Sequence, residues 1–560
     1  MPADQGNSRA EEVIAKLTQD LQLAAREKWR GRERDAVIEI VRTLDDIAFA
    51  FTMAPNRIEL VEQDDVRHCM LRGAVVALRP FLESLRNDSR GVPWRPSNPH
   101  VTRAAEALLF KCGELAQLRR IVSMERYGVA RTRFKNDRQL VVEVDADTPE
   151  ASDRESLYSL VASRRKRHAE KTRRLAAMAR DIRDRIDARV RVDEGWFIRY
   201  DSDAELLEYY RELAAIGATG IPESEALPPD TLLGGRRFAD WNAASITALG
   251  RILHHIAFAT RLKATHSGLD LRNLLTVFAR KDDLAAVWEE SGENAQSATQ
   301  LMSCMSLDAA SASSWEDDHE IPVPFYVDFG RDFVLLPAFG GLLNPCAAVV
   351  RELKNRYRRE WDRGVEGRET AFRADLRNLL PLPRFEVLPA GIKLRRPDGS
   401  ELTDIDAIVL DHKTGSLALV QLKWHDIFGR SPREWNSRRL NLLHANEWVD
   451  RVAGWVAARS AAKVAATLRI GAARNDRHPE LLVVARNGSR FTTTQAYDER
   501  AAWLGWADLV HATSTKGKGD ILQRLTTRFR GGGKLAAEHK IKTRVDFNLP
   551  ELHVEVHIGG

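Results

Sequence analysis

Asp406, Gln421 and Lys423 lie in two short apolar runs, TDIDAIVLD and SLALVQLKW, separated by HKTG. Both runs are rich in Ile, Val and Leu and nearly alternate, while Lys413, Thr414 and Gly415 supply turn chemistry, so the spacing predicts an antiparallel hairpin. With Asp411 facing Ser416, the register sets Asp406 opposite Gln421 and Asp404 opposite Lys423, each pair about 5 Å apart at Cβ. A carboxylate, an amide oxygen and an ammonium then converge. Phosphodiester hydrolysis uses such a set: oxygen donors hold Mg2+, the metal lowers the pKa of a bound water, and a cation offsets charge at phosphorus. On this reading Asp406, Gln421 and the backbone carbonyl of Leu422 ligate the metal, and Lys423 positions the water or stabilises the developing charge.

A further carboxylate is expected from the segment RETAFRADLRNLL. Glu369 there shares the helical face of Phe372, Leu376 and Leu379, so its carboxylate is expected to turn toward the sheet with the apolar residues. Glu366 takes that role if the helix begins one turn earlier. A plainer reading of the same hairpin is a surface element in which Asp404 and Lys423 form a cross-strand ion pair worth under about 1 kcal/mol.

Glu369 on a helix, followed by GSELTDIDAIVLD and LALVQLKW, resembles the PD-(D/E)xK nuclease superfamily, in the Mrr-like variant where Gln replaces the acid before x-Lys. The resemblance covers about residues 365–530. It implies a restriction-endonuclease-like αβββαβ core and a Mg2+-dependent endodeoxyribonuclease, with Mn2+ as a substitute metal. Glu369, Asp406, Gln421 and Lys423 would then be catalytic, and Asp406, Gln421, Leu422 and Glu369 would be the metal's neighbours. DNA is the implied partner, RNA stays open, and defence against foreign DNA is implied by the family alone. Gln421 removes one negative charge from the site, which weakens Mg2+ affinity unless something compensates. The alternative is therefore a nuclease-fold module that has lost its chemistry and binds nucleic acid or a protein. An interaction scaffold built on the helical half is a third reading.

The elements around the hairpin agree with that core. Ser431, Pro432 and Glu434 form an S-P-x-E helix start ahead of Leu440, Leu443, Trp448, Val452 and Trp455. ELLVVARN and WLGWADLVHAT read as two further buried strands. Trp424, His425 and Arg433 follow the motif, and a His beside a metal could assist proton transfer. The tail KIKTRVDFNLPELHVEVHI alternates like a pair of strands.

Four regions are expected in an α+β multidomain chain: helices over 1–195, a mixed helical region with a β-hairpin over 196–345, the nuclease-like α/β domain with a mixed sheet over 346–530, and a strand-rich tail over 531–560. RNLLTVFARKDDLAAVW reads as helix, PFYVDFGRDFVLLPAFG as a hairpin around Gly330, and DAASASSWEDDHE as a flexible loop. RQLVVEVDAD is left open between strand and loop. Residues 163–191 hold 12 Lys/Arg against 4 Asp/Glu, with Leu175, Met178, Ile182 and Ile186 as an apolar stripe. That pattern fits a phosphate-binding helix or, more plainly, a solvated one.

Composition bounds the rest. The 560 residues carry 85 Lys/Arg and 80 Asp/Glu, a net charge of +5 that permits nucleic-acid binding without arguing for it. Cys69, Cys112, Cys304 and Cys346 lack zinc-site or disulfide spacing, and His254 and His255 are adjacent on a helix, about 100° apart, which suits core packing better than chelation. No run of about 18 apolar residues and no signal pattern occurs, so a cytoplasmic chain without a membrane partner is expected. A second copy of the chain, and a partner protein on the helical half, stay open.

Overall fold

The computed structural model describes residues 8–53, 61–93, 95–128, 130–144, 168–193, 197–218, 222–316, 323–343, 345–426, 432–470, 477–487, 497–514, 519–531 and 543–558. Two compact units divide the chain, and both are discontinuous. One takes Met1–Arg126, His168–Glu225 and Pro229–Trp361; the other takes Tyr127–Arg167, Ala226–Pro228 and Asp362–Gly560. A mixed helical N-terminal region and a C-terminal domain with a mixed sheet make the chain an α+β multidomain protein.

Helical periodicity organises the first unit. The helices Arg9–Lys28, Glu33–Met53, Val61–Arg72, Ala74–Leu85 and Pro99–Ser123 bury apolar stripes around Trp29, Leu44, Phe81 and Leu109. Ser8 caps the first of them, its hydroxyl accepting from the backbone of Glu11 while Glu11 accepts from the backbone of Ser8. Two glycines set how closely the third and fifth helices cross. A Cβ at Gly113 would stand 1.9 Å from the carbonyl oxygen of Cys69, and one at Gly73 would stand 2.3 Å from that of Leu109. Gly113→Ala must push these backbones apart, and its thermal midpoint should fall by the equivalent of about 1–3 kcal/mol. An unchanged midpoint would show that the crossing tolerates the extra methyl.

Two expectations for this unit are corrected by the structure. Within RNLLTVFARKDDLAAVW a short turn leads into the strand Val277–Arg280, and only Lys281–Glu290 is helical; Val277 and Phe278 gain ladder bonds against Phe333–Leu336 that helix propensity does not foresee. The small-residue stretch expected to be a loop is helical over Ala309–Glu316, with Trp315 only 1% exposed; its acidic end at 317–320 lies outside the described residues. A buried aromatic anchors a segment that composition reads as loose. The hairpin around Gly330 is present, Tyr326–Asp328 against Phe333–Leu336, and Gly330 has φ +88°. His254 is buried against Tyr210 and Phe258, and burial lowers the pKa of both His254 and His255 to about 4.

In the second unit a five-stranded sheet runs in the order Phe385–Val387, Ala407–Asp411, Ser416–Trp424, Glu480–Arg486, Ala502–Gly505. The first two pairings are antiparallel and the last two parallel. Strand alternation gives each face its own core. Ile408, Leu410, Leu417, Leu419 and Val483 pack with Leu442, Trp448 and Val452 of the helix Pro432–Ala457. Ala407, Val409, Ala418, Val420 and Leu422 pack with Phe372 and Leu376 of the helix Arg368–Leu379 and with Leu522 and Leu525 of Ile521–Phe529. WLGWADLVHAT is strand only to Gly505. Trp506–Ser514 is a helix, started by the Asp508 carboxylate accepting from the backbone of Gly505 at 3.0 Å.

A second sheet in this unit joins distant parts of the sequence. Ala130–Asn136 and Gln139–Val144 form a hairpin, and Gln139–Val144 pairs in parallel with His553–Ile558, which pairs in turn with Thr543–Asn548. The expected terminal strand pair is therefore present, and QLVVEV is a strand.

Candidate functional site

The sequence TDIDAIVLD does not form one strand, because the chain bends at Asp406. Glu401–Ile405 pairs with Ile392–Arg395 in a separate two-stranded sheet, and Ala407–Asp411 opens the central hairpin. The hairpin register is the expected one, with Asp411 facing Ser416 and Ala407 facing Val420. Gly415 takes φ +72° at the turn. Asp404 departs from expectation: it faces Lys393, not Lys423, since alternation cannot carry through the bend. The cross-strand ion pair between Asp404 and Lys423 is thereby removed.

Sheet parity explains the rest of the geometry. Gln421 and Lys423 follow Leu417 and Leu419, on the face covered by Pro432–Ala457, whereas the helix carrying Glu369 packs on the opposite face. Glu369 therefore stands at the rim. Its side chain is 50% exposed, and Arg373, one turn along, clasps its carboxylate. The expectation that Glu369 points inward with Phe372 and Leu376 is corrected by that exposure. Glu366, the alternative, is exposed at the end of the helix Arg358–Glu366.

Asp406 and Gln421 do meet, at 3% and 6% exposure. The Gln421 side-chain amide donates to Asp406 Oδ2, and the same oxygen accepts the backbone N–H of Leu422 at 2.7 Å. Leu422 thus acts through its N–H, not its carbonyl. The Arg373 guanidinium donates to the carbonyl oxygen of Asp406 and fixes the bend from the other side. Burial pushes the Asp406 carboxyl up to about 7, the Leu422 N–H opposes that shift, Glu369 adds to it and Lys423 opposes it.

A cavity of about 330 Å³ opens beside this pair, with Glu369, Asp404, Asp406, Lys423, His444 and Arg451 in its wall. His444, Trp448 and Arg451 reach it from one stripe of Pro432–Ala457, at i, i+4 and i+7. Trp448 Nε1 donates to the carbonyl oxygen of Asp404 at 2.6 Å, which holds that helix against the bend.

This donor set does not make the expected metal centre. Among the described residues no three His, Cys, Asp or Glu side chains gather where they could hold a metal ion. Asp406 is the one buried carboxylate of the cavity wall; Gln421 spends its amide on it, and Glu369 is neutralised by Arg373. The Mg2+ or Mn2+ site, and with it the metal-dependent endodeoxyribonuclease and hydrolase, is withdrawn on that ground. No family model, curated protein or solved structure matches this chain.

Several residues of the site went unread in the sequence. Arg373 was legible as the cation four residues beyond Glu369. His444 and Arg451 were not, since on a helix read only for its apolar stripe they look like ordinary solvent positions. Trp424 borders the cavity and also packs on a buried cation. With Phe372 and Trp506 it surrounds the Arg486 guanidinium, ring centroids 4.2, 4.6 and 5.1 Å away, and Arg486 pairs with Asp375 at 2.7 Å. His425 is buried and accepts the Asn487 side chain on its carbonyl, outside the cavity wall. Ser431 and the side chains of Arg433 and Glu434 lie outside the described residues.

The basic segment is a helix over Ala169–Arg189, with Leu175, Ile182 and Ile186 buried; residues 163–167 lie outside the described residues. Lys171 and Arg174 pair with Glu212, Arg185 and Arg189 with Asp203, and Arg191 with Asp201. Much of its charge is thus answered within the unit. Among the described residues no helix is long and apolar enough to cross a membrane.

Proposed function

We propose that residues 362–560 form a nuclease-like module, similar in element order to the PD-(D/E)xK superfamily, that binds nucleic acid without cutting it. The observation that carries this reading is the Asp406 carboxyl tied up by Gln421 and Leu422, in the place where the superfamily resemblance puts a metal ligand. Charge supports the nucleic-acid half of the reading. Residues 362–560 hold 32 Lys/Arg against 24 Asp/Glu, whereas the preceding 361 hold 53 against 56. The basic excess of the chain therefore belongs to the sequence of residues 362–560, the part that carries the sheet.

Fluorescence anisotropy of the full chain with labelled DNA duplex, single-stranded DNA and RNA tests the proposal. Binding is expected at 50 mM salt, weakening about tenfold by 200 mM if two phosphates are contacted. The nucleic acid should be recovered intact, with or without divalent cations. Absence of binding to all three, affinity indifferent to salt, or cleaved product would each overturn the reading.

A further inference from the structure

The cavity beside Asp406 has an uneven balance between engaged and unengaged charge. Of the carboxylates in its wall, Glu369 is held by Arg373, and Asp406 is buried under Gln421 and the Leu422 N–H. Arg368, also in the wall, is 5% exposed and pairs with Asp426 at 2.6 Å. Lys423, His444 and Arg451 form no ion pair with a described residue. Lys423 comes from the central strand and Arg451 from the helix crossing it, so two cations approach one space from two rigid elements.

We propose that this cavity seats a phosphate monoester between Lys423 and Arg451, with His444 as a hydrogen-bonding neighbour. The inference rests on the nucleic-acid reading above and names the chemical group that the module takes. A terminal phosphate carries up to two negative charges and matches two unengaged cations, whereas an internal diester carries one. Guanidinium binds two phosphate oxygens side by side and the ammonium supplies a point charge, a complementary pair for one tetrahedral group. The cavity, about 330 Å³ with buried Asp406 and Gln421 in its wall, is of a size for a phosphate and its sugar and too small for a duplex. Asp404, exposed and without a side-chain partner among the described residues, is the carboxylate that opposes binding.

Such a group could come from the end of a strand or from a free nucleotide, and one titration separates them. The full chain is titrated against a labelled single-stranded oligonucleotide carrying a 5′-phosphate, a 3′-phosphate or neither, with a nucleoside monophosphate and inorganic phosphate as competitors. One phosphorylated end should bind about tenfold tighter than the bare strand. Lys423→Ala and Arg451→Ala should each erase that difference, Lys423→Arg should keep it, and Asp404→Asn should widen it. Thermal midpoints of the variants establish that each is folded. Competition by nucleoside monophosphate at micromolar concentration assigns the seat to free nucleotides; competition only at millimolar concentration assigns it to strand ends. Equal, salt-sensitive binding of phosphorylated and bare strands overturns the phosphate seat and leaves the nucleic-acid reading standing. Loss of binding to every strand overturns both.

Discussion

At pH 8 the Asp406→Asn variant should be more stable than the parent protein, and at pH 4 the advantage should be gone. In the unfolded chain an aspartate ionises near 3.9, whereas burial holds the folded Asp406 carboxyl at about 7. Between those values the unfolded chain has released a proton that the folded chain still holds. Raising the pH through this window therefore favours unfolding, and the loss is complete above about 7. At 1.36 kcal/mol per unit the three-unit gap corresponds to roughly 4 kcal/mol, an upper figure because solvent and neighbours relax. The amide carries no charge at either pH, and its oxygen can still accept from Gln421 and Leu422. Asp45, whose carboxyl burial also raises to about 7, contributes the same trend to parent and variant and cancels in the comparison. Denaturant midpoints of both proteins from pH 4 to pH 8 provide the measurement. A variant that is less stable than the parent across the range would mean that the carboxylate, not merely its shape, is needed.

Glu39→Ala should cost about 3 kcal/mol, because it removes the carboxylate between two buried cations and leaves Arg272 only the more distant, exposed Asp46 at 3.7 Å. Glu39, Arg42 and Arg272 are 4%, 5% and 8% exposed. Glu39 Oε1 lies 3.3 Å from Arg42, and Oε2 lies 3.6 Å from Arg272 while accepting the Thr102 hydroxyl at 3.0 Å. Burial already lowers the pKa of Arg42, and Glu39 is the first group to oppose that. Without it, the two guanidiniums face each other across a space with little water. Glu39→Gln keeps the hydrogen bonds without the charge and should fall between the two. Hydrogen exchange along Glu33–Met53 reads the effect locally, which matters in a chain of two units. Unaltered protection in Glu39→Ala would show that the cluster is held by packing alone.

What the sequence could convey was local. The hairpin was legible because Ala407–Asp411 and Ser416–Trp424 alternate around a glycine with positive φ, and alternation fixes both register and face. Asp404 was misplaced by the same logic, since nothing in TDIDAIVLD marks the bend at Asp406. Glu369 was assigned to the site by its helical face, but the helix lies across the sheet from Gln421 and Lys423, and face-to-face placement is a tertiary fact. The residues that most change the chemical reading, His444 and Arg451, lie beyond the motif on a helix whose approach to the bend is set by Trp448 and the Asp404 carbonyl. Helix and loop assignments failed where a strand partner or one buried tryptophan overrode composition, as at Val277–Arg280 and Trp315.

The parallel pairing of Gln139–Val144 with His553–Ile558 ties a segment made early to one made more than 400 residues later. At a ribosome adding about 5–20 residues per second, the early hairpin waits tens of seconds for its neighbour. Throughout that interval Leu140, Val142 and Val144, all at most 6% exposed in the finished sheet, lack the strand that completes it. The early hairpin is therefore left with an unpaired edge until His553–Ile558 has been made.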